Sequence, residues 1–161
     1  MKRKIILSAI LGTVMGAIGG GGIVRTIASK KEKDCRNMSD KHLALFLLMN
    51  EWLRTKQEGK EMKKYFDKKG YKSIAIYGFS YIGERLLDEL ENCGLHTAYA
   101  IDKNAASIYS DIDVYTPDDL LPEADVVVVT AVYFFDEIRN GLVDKVSCPI
   151  VSLEDILYEM E

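Results

Sequence analysis

The chain has 161 residues, 48% of them hydrophobic, with 21 Lys+Arg against 25 Asp+Glu and three Cys. At roughly 100–200 residues per domain this is one modest globular domain plus an appendage, and the composition excludes collagenous, low-complexity and disulfide-stapled proteins. The net charge of −4 conceals a gradient, +6 over residues 1–38, +4 over 39–72 and −14 over 73–161; an acidic C-terminal surface repels phosphate backbones, which sets nucleic-acid binding aside.

Residues 5–24, IILSAILGTVMGAIGGGGIV, carry no charge and are bracketed by Lys2, Arg3 and Lys4 before and Arg25 after. As a helix rising about 1.5 Å per residue they span about 30 Å, the hydrocarbon thickness of a bilayer, so one membrane crossing is expected. Gly12, Gly16 and the run Gly19 to Gly22 lower its transfer energy and make the span marginal. Gly12 and Gly16 lie four apart, a spacing that lets two helices approach closely in lipid; the plainer reading is a small-residue stretch. A cleaved signal peptide is the rival, with small residues at Thr26 and Ala28, although its apolar core would normally be about 7–15 residues. Cys35, Cys93 and Cys148 form an odd set without metal-ligand spacing, as expected of thiols kept reduced in a cytosol. Arg25, Lys30, Lys31, Lys33 and Arg36 outnumber the three basic residues before the span. A single-pass protein of the cell membrane with its C-terminal domain facing the cytoplasm is therefore expected.

The expected organisation is a transmembrane anchor with basic flanks (1–28), a juxtamembrane linker (29–38), amphipathic helices (39–70) and a C-terminal domain (71–161). RTIASKKEKDCRNM, residues 25–38, has no apolar period and suits the headgroup region. Ser39 and Asp40 offer an N-cap to a helix through HLALFLLMNEWLRTKQ, interrupted near Gly59. Its seven-residue apolar run, Leu43 to Met49, followed by Trp52 and Leu53, is wider than a one-sided stripe. Three surfaces compete to cover it: the C-terminal domain, a second copy of the helix, or the membrane. KEMKKYFDKKG then places Met62, Tyr65 and Phe66 on one helical face and ends at Gly70 as a C-terminal cap.

From Tyr71 the pattern becomes short apolar runs separated by helical stretches. Strands are predicted at 73–77, 97–101, 113–115, 125–131 and 149–153, and helices at 81–92, 117–121, 134–143 and 153–160. A run such as VVVVTA, apolar on both faces, belongs to a parallel strand covered by helices on each side, so the class is α/β with a parallel sheet of about five strands.

The first predicted strand ends in Gly78, and GFSYIG opens the next helix, with Gly83 five positions on. A helix start presents unpaired N–H groups and a positive dipole end to an anion. Asp102 follows Gly78 by twenty-four residues, about the offset at which an acid accepts hydrogen bonds from a ribose in dinucleotide-binding folds. Ser80 stands where G-x-G-x-x-G has its middle glycine, so a side chain occupies the pyrophosphate's approach to the backbone. A purely structural turn is the competing reading.

KSIAIYGFSYIGERLLDEL, AYAIDKN, DIDVYTPDDL and ADVVVVTAVYFFDEI resemble the small Rossmann-like domains of bacterial surface-polysaccharide gene clusters. They are similar also to the nucleotide-sugar-binding N-terminal domain of bacterial sugar acyltransferases. The resemblance covers residues 71–157. It implies that Gly78, Ser80, Tyr81 and Gly83 form a turn facing a ligand, with Asp102, Lys103 and Asn104 at the rim and Thr130 with Ala131 at the end of the fourth strand. Lys103 and Asn104 suit an ordinary polar turn, and Thr130 suits a backbone partner. In the acyltransferases a left-handed β-helix catalyses the transfer. No such sequence follows here, so the transferase activity is not expected to carry over.

No reaction chemistry is evident in the sequence. His42 and His96 have no matched ligands, so no metal site is expected, and neighbouring acids would dull Cys93. Tyr133 is followed four residues later by Glu137 where a tyrosine-based dehydrogenase needs lysine, and the pairs Asp118/Asp119 and Glu154/Asp155 suit helix starts. The expectation is a membrane-anchored, non-catalytic accessory of polysaccharide assembly that binds a nucleotide-type small molecule, NAD(P) or a nucleotide-sugar, and meets polysaccharide-synthesis enzymes or its own copies. The alternatives are an interaction or oligomerisation module with no ligand, and an NAD(P)-linked enzyme completed by a partner.

Overall fold

In the computed structural model the short apolar runs become five strands: β1 (Ser73–Tyr77), β2 (His96–Ile101), β3 (Val114–Tyr115), β4 (Val126–Val129) and β5 (Ile150–Ser152). All pair in parallel, in the order β3-β2-β1-β4-β5. The structure describes residues 33 and 35–160. The chain divides into two units, residues 1–43 and 44–161. A helix covers residues 35–57; its residues 44–57, in the second unit, are called α1. The others are α2 (Met62–Lys69), α3 (Tyr81–Asn92), α4 (Phe135–Leu142) and α5 (Leu153–Glu159). The protein is thus α/β with a five-stranded parallel sheet, consistent with a Rossmann-like fold.

Alternation along the strands sorts side chains into two cores. Ile74 and Ile76 of β1 and Val126 and Val128 of β4 pack with Leu48 and Trp52 of α1, Met62 and Phe66 of α2, Leu86 and Leu90 of α3, and Leu153 and Ile156 of α5. Ala75, Tyr77, Val127 and Val129 face the opposite way and pack with Tyr99, Ile138 and Leu142. Among the described helices four therefore cover one face, and α4 covers the other. From β1 the chain moves one way to β2 and β3, and from β4 the other way to β5. Right-handed crossovers leaving in opposite directions place their helices on opposite faces, which puts α3 and α4 on different sides.

Three expectations are corrected. The helix is already formed at residue 35, so Ser39 and Asp40 lie within it and cap nothing at its start; Arg36 and Met38 are good helix formers, and no Gly or Pro stands among residues 23–38. Residues 117–121 are a turn, not a helix. The Asp119 carboxylate accepts from the Thr116 amide (2.6 Å) and hydroxyl (2.8 Å) as a helix cap would, but Pro122 disfavours the helical conformation at Leu121 and leaves room for one turn only. The Tyr99 hydroxyl then donates to the Pro122 carbonyl (2.8 Å) and fixes this connection against the sheet. β4 stops at Val129, two residues short of the expected Ala131. Gly59 and Gly70 end α1 and α2 as expected, both with positive φ. The expected span at residues 5–24 lies outside the described residues, among which no helix is long and apolar enough to cross a membrane.

A close approach fixes α3 on the sheet. A β-carbon at Gly83 would collide with the Gly78 carbonyl oxygen. Alanine is the better helix former by about 1 kcal/mol, yet Gly83→Ala is expected to lower stability by about 1–3 kcal/mol in urea titration, because the backbone must separate to admit the methyl group. The Asp125 carboxylate accepts from the Lys72 (2.7 Å) and Ser73 (2.8 Å) amides, and these bonds hold its pKa below the usual carboxylate range. A depressed folded-state pKa contributes stability above the unfolded value, and that stability is lost as pH falls through the folded value. Thermal melts should show Asp125→Asn less stable than wild type at neutral pH, with the gap closing as the pH falls below about 4.

Candidate functional site

The strand order reverses between β1 and β4, and a crevice opens at their carboxyl ends, as open α/β sheets require. Gly78 leaves β1 with φ +92°, a conformation that strains any residue with a β-carbon, and such a carbon would lie 2.8 Å from the Thr130 hydroxyl oxygen. The Gly78 amide donates to Ile101 (2.8 Å), and the Thr130 amide donates to Tyr77 (2.9 Å). The Thr130 hydroxyl donates to the Gly78 carbonyl (2.6 Å), with the Tyr77 carbonyl at 3.2 Å. These bonds lock the turn to β4.

Asp102, one residue past β2, reaches the same turn. One carboxylate oxygen accepts the Phe79 amide at 2.9 Å and the other accepts the Asn104 amide at 2.8 Å. The acid therefore faces the turn as expected, but it takes the Phe79 amide itself. A carboxylate on that amide places negative charge where a ligand phosphate would seek donors. Its remaining lone pairs can still accept from hydroxyl groups.

The crevice has a volume of about 240 Å³ and is lined by Tyr77, Gly78, Asp102, Lys103, Asn104, Ala131, Phe134, Glu137 and Ile138. It shares Tyr77, Lys103, Glu137 and Ile138 with a cavity of about 530 Å³ that runs past Thr116, Pro117 and Asp118 to Lys145. Of the residues expected to face a ligand, Gly78, Asp102, Lys103, Asn104 and Ala131 line the smaller crevice, whereas Ser80, Tyr81, Gly83 and Thr130 do not line it. Ser80 and Tyr81 are exposed at the start of α3, Gly83 is buried against the turn, and Thr130 is buried with its hydroxyl engaged. The Ser80 side chain makes no capping bond to α3.

Tyr77, Phe134 and Lys145 belong to the walls without having been singled out from sequence. Tyr77 is the last residue of β1 and lies on the α4 face by alternation, the one signal that points to it. Burial pushes its phenol pKa up, with Asp102, Glu137 and Asp118 adding to the effect, so at neutral pH it is a hydrogen-bond donor. The charges are mixed: Lys103 lies 3.8 Å from Glu137, and Lys145 pairs with Asp118 at 2.9 Å while also donating to the Pro117 carbonyl at 2.6 Å. Such a lining suits a polar, hydroxyl-bearing ligand better than a bare anion.

Elsewhere the expected roles divide. Glu154 and Asp155 lie in the first turn of α5, where Ser152 accepts the Glu154 amide at 3.2 Å. Asp118 and Asp119 serve an ion pair and a turn instead. Burial raises the Cys93 and Cys148 thiol pKa values, at Cys93 with help from Glu89. Among the described residues no group of three or more His, Cys, Asp or Glu is placed to hold a metal ion.

Removing the Asp102 carboxylate strands two backbone donors, so Asp102→Ala is expected to lose about 1–3 kcal/mol of stability with no ligand present, measured by chemical denaturation. An unchanged midpoint would show that the brace between the loops contributes nothing. Comparison of the chain with protein families, with curated proteins and with solved structures found no match.

Proposed function

We propose that the C-terminal domain binds a nucleotide or nucleotide-sugar through its ribose hydroxyls and serves, without catalysing a reaction, as a membrane-anchored accessory of bacterial polysaccharide assembly. The observation that carries the ligand is the position of Asp102, held rigidly by two amides on the wall of the crevice where the strand order reverses. A carboxylate fixed in this way accepts from a diol without paying again for its own ordering. Tyr77 adds a donor and Lys103 a positive charge at the same opening. NAD(P) is a second ligand of the same class. Anchoring rests on the uncharged run of residues 5–24, and the polysaccharide setting rests on the family resemblance alone.

A tethering role with an empty crevice is the second reading, favoured by the capture of the Phe79 amide by the protein's own acid. Thermal unfolding of the full chain in mild detergent, followed with NAD, UDP-sugars and acetyl-CoA, separates the two. A true ligand at a hundred times its Kd should stabilise the fold by about 2.7 kcal/mol. Glu137→Lys leaves the braced turn intact and should change the size of that shift, since the carboxylate lines the crevice. Absence of a shift with every ligand would leave the tethering role.

A further inference from the structure

α1 has two apolar faces. Leu48 and Trp52 are buried in the core, while Phe46, Leu47, Met49 and Leu53 are 67%, 52%, 41% and 58% exposed. At about 100° per residue, Phe46, Asn50, Leu53 and Gln57 recur along one line of the helix, with Leu47 and Met49 flanking it. We infer that this outer face of α1 is the contact surface for a second copy of the same chain, made by two α1 helices meeting across a two-fold axis.

Charge decides between a protein and a lipid occupant. An amphipathic helix lying on a membrane presents free Lys and Arg beside its apolar face. Here the nearby cations are engaged: Arg54 with Glu51 at 2.6 Å and Glu58 at 3.9 Å, and Lys56 with Glu89 at 2.9 Å. The residues of the face, Phe46, Leu47, Met49, Asn50, Leu53 and Gln57, are uncharged, and the charges beside it, Glu51, Arg54 and Lys56, are paired. A two-fold contact brings a patch against itself, so a charge-free patch is self-compatible where a charged one is not. A contact through residues 73–161, which carry −14, would bring a far larger charge against itself than one through residues 39–72, which carry +4. Asn50 and Gln57 supply uncharged hydrogen-bonding groups on the central line, and one polar residue in an apolar seam specifies register.

The face is short. From Phe46 to Gln57 it spans about 16 Å, less than the roughly 800 Å² per partner of a standard stable interface requires. Confinement in a membrane by residues 5–24 raises the effective concentration and lets so small a contact persist. This last step rests on the proposed anchor; the choice of occupant does not.

The test uses the full chain in its membrane, with Cys35, Cys93 and Cys148 replaced by Ser and Asn50→Cys introduced. Mild oxidation should give a disulfide-linked dimer through Asn50→Cys, and much less from Tyr109→Cys, whose side chain is fully exposed. Adding Phe46→Glu and Leu53→Glu should cut the Asn50→Cys dimer by about tenfold or more. Both positions are exposed, so melting temperature serves as the folding check, and Gly12→Leu with Gly16→Leu controls for association within the anchor. Equal cross-linking at residues 50 and 109, or cross-linking indifferent to the two glutamates, overturns the inference. So does a monomer whose label at residue 50 is quenched by spin-labelled lipid, which would assign the face to the membrane, or a monomer without such quenching, which would leave the face to another segment.

Discussion

The Asp102 carboxylate ties together the two loops that make the crevice. Its oxygens bind the Phe79 amide after β1 and the Asn104 amide after β2, so the end of one strand is set by an acid at the end of its neighbour. Several further close contacts surround that brace. Gly78 takes up positive φ beneath it, Thr130 clamps Gly78 from β4, and α3 approaches closely enough that Gly83 has no room for a side chain. Acceptor and donors are backbone-anchored or partly buried, and they set a carboxylate at the turn.

That sign shapes what the opening can hold. A glycine turn before a helix is in general an anion site, but here the protein brings its own anion to the Phe79 amide. The neighbouring side chains form pairs among themselves, Lys103 with Glu137 and Lys145 with Asp118, and Tyr77 remains a neutral phenol. Hydroxyl groups fit this setting better than phosphate does. The physical emphasis thus moves from the helix start at Ser80 to the α4 side of the sheet, where the crevice lies.

The uneven cover of the sheet has a second consequence. Four of the described helices share one face of the sheet, and α1 packs there through Leu48 and Trp52 while keeping an apolar side towards solvent. A wide apolar run in sequence signals contact on more than one side, and the core uses only one of them. The crevice and this outer face belong to different surfaces, so whatever occupies one need not compete with what covers the other.

Much of this was legible in the sequence because it is local. The short apolar runs SIAIY and VVVVT, the helical spacing of YIGERLLDELEN and the glycines at 70 and 78 all act within a few residues of themselves, and β1 and α3 appear where those patterns place them, while β4 is two residues shorter at its end. The corrections fall where local signals compete, at Ser39 with its helix-forming neighbours and at Thr116 and Asp119 with Pro122. What tertiary structure alone decided are the partners brought from far along the chain. The parallel register of β1 and β2 sets Asp102 on an amide 23 residues away, alternation turns Tyr77 to the α4 side, and the packing of α1 selects which of its two apolar faces is covered. A sequence pattern states which side chains share a face, but only the sheet and its layers determine what that face meets.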